Sequence, residues 1–141
     1  ICDLIADEVD FLSVGTNDLV QYLLAVDRVN NEIAYLYEPH HPAVVRSIRH
    51  ILQISNEKDT PVTICGEIAG DPHFLPLLLG MGVVSLSASA PLIPELKFFA
   101  SRFETSESKE LMDRILSFRR PSEVIQSLKN FYDERVADLV D

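Results

Sequence analysis

Asn17 and Asp18 stand directly after a short β-prone run, Phe11-Leu12-Ser13-Val14, that Gly15 stops. A carboxylate in that place can hold a hard cation such as Mg²⁺ through oxygen, and the neighbouring amide can fix an anionic ligand. The same two residue types also serve as helix caps that satisfy first-turn N–H groups. Arg28 follows Asp27 at the end of the next apolar stripe. Its planar fork could clamp a phosphate or carboxylate, pair with Asp27, or sit on the helix C-terminus. Cys65 ends a second β-prone run, Val62-Thr63-Ile64-Cys65, ahead of Gly66, Glu67 and Asp71. A thiol there can act as acid, base or nucleophile, while a free cysteine also works as a small apolar core filler. Glu67 and Asp71 suit loop orientation or capping and receive no catalytic role. His40, His41, His50 and His73 have no partner at metal-ligand spacing and read as solvated histidines.

These residues need elements to position them. Residues 1–10 resemble the last turns of a helix leading into the first strand. Leu19, Val20, Leu23, Leu24 and Val26 then recur at helical spacing, with Thr16 or Asn17 as N-cap. Residues 28–42, with Asn30, Asn31, Pro39 and Pro42, form a loop containing a short turn of helix. Val44, Val45, Ile48, Ile51 and Leu52 mark a second amphipathic helix. After the second strand, Asp71-Pro72 suggests a helix start, and Pro76 either kinks that helix or delays it. Gly80 and Gly82 end it, and a third strand is expected over Val83–Ser87, followed by the loop Ala88-Ser89-Ala90-Pro91. Ile93, Leu96, Ala100 and Phe103 suggest a further helix. Leu111, Met112, Ile115 and Leu116 form a stripe after Thr105. Val124, Ile125, Leu128, Phe131, Tyr132, Val136 and Leu139 form another after Pro121. Three strands alternating with helices, without hairpin signals, predict parallel βα units. The turns GTND, CGEIAGD and SLSASA collect polar residues at the strand ends where α/β proteins bind ligands.

Composition narrows the partners. The 141 residues carry 12 Lys and Arg against 22 Asp and Glu, a net charge of −10, which argues against nucleic acid or an anionic membrane surface. Apolar residues make up 47 %, enough for a packed core. The longest apolar run, Leu77–Val84, is broken by Gly80 and Gly82 and falls far short of the roughly 20 residues a membrane span needs. Cys2 and Cys65 show no metal or redox spacing, as expected in a reducing, cytoplasmic setting. The sequence opens at Ile1, partway into a helix, as an excised piece of a longer chain would.

Taken in order, several segments resemble enzyme I of the phosphoenolpyruvate-dependent phosphotransferase system. They are DFLSVGTNDLVQYLLAVDR at 10–28, LYEPHHPAV at 36–44, ICGEIAGDP at 64–72 and LLLGMG at 77–82. The first segment is closest to the nitrogen-related branch of that family, and the helical ending is also similar. The resemblance implies an α/β fold, the C-terminal portion of a (βα)₈ TIM-type barrel comprising about three βα units plus terminal helices. Residues 1–141 would then be a partial phosphoenolpyruvate-binding domain, truncated on its N-terminal side, since a barrel needs roughly 250 residues. In that family phosphoenolpyruvate phosphorylates a histidine on a separate domain, releasing pyruvate. The phosphoryl group then passes to a histidine-containing carrier protein that serves sugar transport or nitrogen regulation. The resemblance makes Asn17, Asp18 and Arg28 substrate-binding, Asp18 also a Mg²⁺ ligand, and Cys65 the acid that protonates the enolate carbon. None of the four histidines matches the phosphoaccepting one. With the rest of the family's site absent from these motifs, the isolated piece would be inactive; the family's C-terminal domain also forms a homodimer, so the piece would alternatively serve in association. Val29 departs from the family's usual Gly, and Ser87–Ala90 lacks a Met often found after the third strand. Pyruvate phosphate dikinase and phosphoenolpyruvate synthase carry similar motifs and form the alternative, although AVDR, LLLGMG and the helical tail favour enzyme I.

Overall fold

The computed structural model describes residues 1–136. Three short parallel strands alternate with helices in the order the apolar spacing demands. Helix α1 (Cys2–Ala6) leads into β1 (Leu12–Gly15), then α2 (Thr16–Leu24), a 3-10 turn (Ala34–Leu36) and α3 (Pro42–Glu57). Strand β2 (Val62–Cys65) is followed by α4 (Glu67–Gly70) and α5 (Leu75–Gly80). After β3 (Leu86–Ser87) come a second 3-10 turn (Ala90–Leu92), α6 (Ile93–Ala100), α7 (Thr105–Leu116) and α8 (Pro121–Val136). Among the described residues no helix is long and apolar enough to cross a membrane. Leu139, the last residue of the final apolar stripe, lies outside the described residues.

The sheet order is β1-β2-β3, with Leu12 opposite Val62, Gly15 opposite Cys65, and Cys65 opposite Ser87. Alternation along the strands divides its two faces sharply. Val14, Val62 and Ile64 are buried in one core cluster with Val44, Val45, Ile48, Leu75, Leu77 and Leu78, and Leu12 and Leu86 pack against it. The opposite face carries Ser13, Gly15, Thr63, Cys65, Ser85 and Ser87, all exposed or half-buried. Its hydroxyls meet one another, Thr63 Oγ1 lying 3.0 Å from Ser85 Oγ. Parallel sheets ordinarily bury both faces under apolar side chains, so a face of small hydroxyl-bearing residues is a departure that positions polar groups together.

Several expected boundaries shift for local reasons. Phe11 lies outside β1 and is exposed. Gly15 is the N-cap of α2 and makes no side-chain cap bond, so neither Thr16 nor Asn17 caps the helix. The helix expected at Asp71-Pro72 starts later. Asp71 Oδ1 accepts from the His73 backbone N–H at 2.9 Å, closing a turn, and α5 begins at Leu75 with Pro76 in its first turn. Proline needs no donor there, so Pro76 starts the helix without a kink.

The third strand is two residues long, against the five expected. Gly82, at φ +85°, follows the C-cap of α5, and its N–H bonds to Leu79 O while the Val83 N–H bonds to Leu78 O. These are the two bonds of a Schellman ending. Val83 thus spends its donor on the helix end and leaves the ladder to Leu86 and Ser87, while Val84 is 91 % exposed. At the other end of the molecule, Arg46 of α3 donates to Leu116 O and Phe118 O, fastening the C-terminus of α7.

Candidate functional site

The C-terminal ends of β1 and β2 are cross-tied by side chains that a capping role would have used locally. Thr16 Oγ1 donates to Cys65 O at 2.7 Å, and Asn17 Oδ1 accepts from the Glu67 N–H at 3.0 Å. Gly66 lies between them at φ +91° and ψ −166°, a backbone region essentially reserved for glycine. The Cys65 thiol donates to Val14 O at 3.3 Å and lies 3.6 Å from Ser13 Oγ, on the polar face of the sheet. It is half-buried and belongs to that face, not to the apolar core.

Arg28 reaches the same mouth from the end of α2. Its backbone N–H donates to Gln21 Oε1 at 3.0 Å, and its Nη1 lies 3.2 Å from Glu67 Oε1. The Tyr37 hydroxyl, carried by the loop before α3, lies within the electrostatic reach of the same guanidinium. Burial raises the Tyr37 pKa above its ordinary value and the Glu67 carboxylate adds to that rise, while Arg28 opposes it. Asp18 is exposed on the first turn of α2, its Oδ2 folded back over Gly15. Val29 keeps a negative φ and donates its N–H to Asp27 Oδ1 at 3.0 Å, so this loop does not require the glycine its place suggested.

A cleft of about 400 Å³ opens between the three strand ends, lined by Asn17, Gly66, Glu67, Gly70, Asp71, Ala88, Ser89 and Leu92. The structure therefore brings Asn17 into the cleft wall. Asp18, Arg28 and Cys65 border the same strand ends without lining it. Glu67, expected only to orient the loop or serve as a cap, is both a wall residue and the partner of Arg28. Tyr37 was marked only as part of the segment LYEPHHPAV, with no role of its own. A signal for Glu67 did exist in its place immediately after a strand-ending glycine.

Three of the four histidines are structural and not simply solvated. His41 caps α3, its Nδ1 accepting from the Ala43 N–H at 3.1 Å. His73 lies 3.1 Å from Asp71 Oδ1 and packs its ring, tilted by 38°, against Tyr132 with centroids 4.4 Å apart. His40 stacks on Phe74 at 4.6 Å, and burial lowers its pKa below 6.5, with His73 adding to that and Asp71 and Glu38 opposing it. The fold favours the neutral ring, so as pH falls through the unfolded value the unfolded chain takes up the proton first. Stability is complete above about 6.5 and declines as pH drops towards the depressed folded value. Urea midpoints compared at about pH 7.5 and about 5.5 should therefore fall further in the native chain than in His40→Phe, which keeps the stack.

Residues 1–105 match the family described as PEP-utilising enzyme, PEP-binding domain. The chain belongs to that family. Its PEP-binding-domain match covers every element from α1 to α6 and thus the whole cleft. The chain is 39 % identical over 132 residues to the phosphoenolpyruvate-protein phosphotransferase of Priestia megaterium, covering 94 % of this chain and 23 % of the relative. The same figures hold for the protein of that name from Bacillus subtilis (strain 168). Against the one from Enterococcus faecalis (strain ATCC 700802 / V583) identity is 43 % over 116 residues, 82 % of this chain and 20 % of the relative. The chain thus spans less than a quarter of the length of these curated relatives.

Proposed function

We propose that this chain is the C-terminal portion of a (βα)₈ barrel that binds phosphoenolpyruvate within a longer, cytoplasmic phosphoenolpyruvate–protein phosphotransferase. The observation that carries the reading is the gathering of Asn17, Asp18, Arg28 and Cys65 at the C-terminal ends of two adjacent parallel strands. The uncovered polar face supports the barrel, because such a face becomes the interior once further strands add to β1 and β3. The names of the relatives support the phosphotransferase branch over a dikinase or synthase.

Phosphoenolpyruvate concentrates negative charge, while Glu67 and Asp71 line the cleft and Asp18 borders it. One guanidinium cannot neutralise that set, and a divalent cation fits the donor chemistry. Mg²⁺ takes one or two carboxylates and completes its shell with waters and substrate phosphate oxygens. Asp18 would supply such a carboxylate, and among the described residues no larger acidic or histidine cluster could hold a metal by itself. When bound, the cation withdraws charge from the phosphoryl oxygens.

The chain's own residues do the rest. Arg28 clamps the anionic ligand, Asn17 fixes its orientation, and the strand-end cross-ties keep both in register. The phosphorus–oxygen bond of phosphoenolpyruvate breaks as a phosphorus–nitrogen bond forms to a histidine on another domain, and the electron pair returns to the enolate. The Cys65 thiol then gives its proton to the enolate carbon, releasing pyruvate, and water restores the thiol. A histidine-containing carrier protein accepts the phosphoryl group next. The longer protein works as a homodimer, and the 141-residue chain alone is inactive because none of its four histidines matches the family's phosphoaccepting one.

Pyruvate release tests the reading. In the full-length protein, Cys65→Ala should slow it by about 10²- to 10⁴-fold, the usual contribution of a positioned general acid. Unchanged release would remove Cys65 from the chemistry.

A further inference from the structure

Resting on the phosphoenolpyruvate reading, we propose that Glu67 is a resident competitor for the anion site. Its carboxylate holds the Arg28 guanidinium while the cleft is empty and yields it to the ligand. The two residues are 39 positions apart in sequence, and Glu67 Oε1 lies 3.2 Å from Arg28 Nη1. Glu67 lines the cleft whereas Arg28 stands outside the lining, so the carboxylate joins the cleft wall to the guanidinium. Both side chains are partly solvent-exposed, at 39 % for Arg28 and 67 % for Glu67. Such a pair shifts a binding equilibrium by no more than about fivefold, which makes it exchangeable.

Each partner has a separate anchor that survives the exchange. Arg28 keeps its backbone bond to Gln21 Oε1 at 3.0 Å. Glu67 keeps its backbone bond to Asn17 Oδ1 at 3.0 Å. Once displaced, the Glu67 carboxylate stays beside the cleft and repels the bound anion, as does Asp71 in the same wall. Its charge therefore acts on ground state and transition state alike and appears in KM more than in kcat.

The test is steady-state kinetics on the full-length enzyme with phosphoenolpyruvate, joined to calorimetric binding of phosphoenolpyruvate and of inorganic phosphate. Glu67→Gln should lower KM about two- to fivefold, with a smaller change in kcat, and should tighten both ligands. Glu67→Asp keeps the charge and should return KM towards the native value. Added salt should narrow the gap between native enzyme and Glu67→Gln. A raised or unchanged KM in Glu67→Gln overturns the proposal, a raised one making Glu67 a support for Arg28. If Arg28→Ala binds phosphoenolpyruvate as the native enzyme does, the underlying reading falls and takes the proposal with it. If Arg28→Ala is impaired and Glu67→Gln shows no gain, only the competitor role fails.

Discussion

Gly66→Ala should cost about 3 kcal/mol of stability, roughly 2 from backbone strain and about 1 from overpacking. A Cβ at this position would lie 2.5 Å from Thr16 Oγ1, 3.1 Å from Asn17 Oδ1 and 3.3 Å from the Asn17 backbone nitrogen. None of these atoms is free to retreat. Thr16 Oγ1 is committed to Cys65 O, and Asn17 Oδ1 to the Glu67 N–H. The substitution thus opens the cross-tie between β1 and β2 and tilts Asn17 and Glu67 together, so anion binding should fail along with stability. Gly82→Ala is the control. That glycine has a similar φ, +85°, but nothing lies within 4 Å of its Cβ position, and the loss there should be about 1 kcal/mol. Urea denaturation of the two variants checks the contrast, and equal midpoints would remove the cross-tie from the account.

Asp18→Ala should lower kcat/KM for phosphoenolpyruvate by about 10²- to 10³-fold in the full-length enzyme while leaving stability within about 0.5 kcal/mol. The two readings of this residue separate cleanly. A capping carboxylate would cost about 1 kcal/mol of stability when removed and would leave the kinetics alone. The structure already weighs against that, since α2 starts without a side-chain cap bond and Asp18 is exposed. A metal-binding carboxylate shows the opposite signature, with loss of turnover and no change in the urea midpoint. Restoring activity by raising Mg²⁺ concentration would strengthen the assignment, and a variant with native kinetics would end it.

The strands and the residues ending them were legible because their causes are local. Gly15 and Gly66 stop β-prone runs, and Asn17, Asp18 and Cys65 follow or close those runs by position alone. The third strand was overestimated for a non-local reason, because the Val83 donor is taken by the end of α5. Arg28 was legible as a group able to pair with a carboxylate, but the carboxylate it pairs with was not. Asp27 is adjacent in sequence, whereas Glu67 is adjacent only after the strand ends are brought together. The same holds for Tyr37 and for the ring packing of His40 and His73, which depends on rings supplied by Phe74 and Tyr132. Pro76 looked like an interruption until the Asp71 turn moved the helix start to Leu75.

The most direct measurement is transfer of label from radiolabelled phosphoenolpyruvate to the full-length protein in the presence of Mg²⁺. The expected product is an acid-labile, alkali-stable phosphohistidine located outside residues 1–141, formed with release of pyruvate and lost in Arg28→Ala. Absence of label on the native protein, or equal labelling in Arg28→Ala, would contradict it.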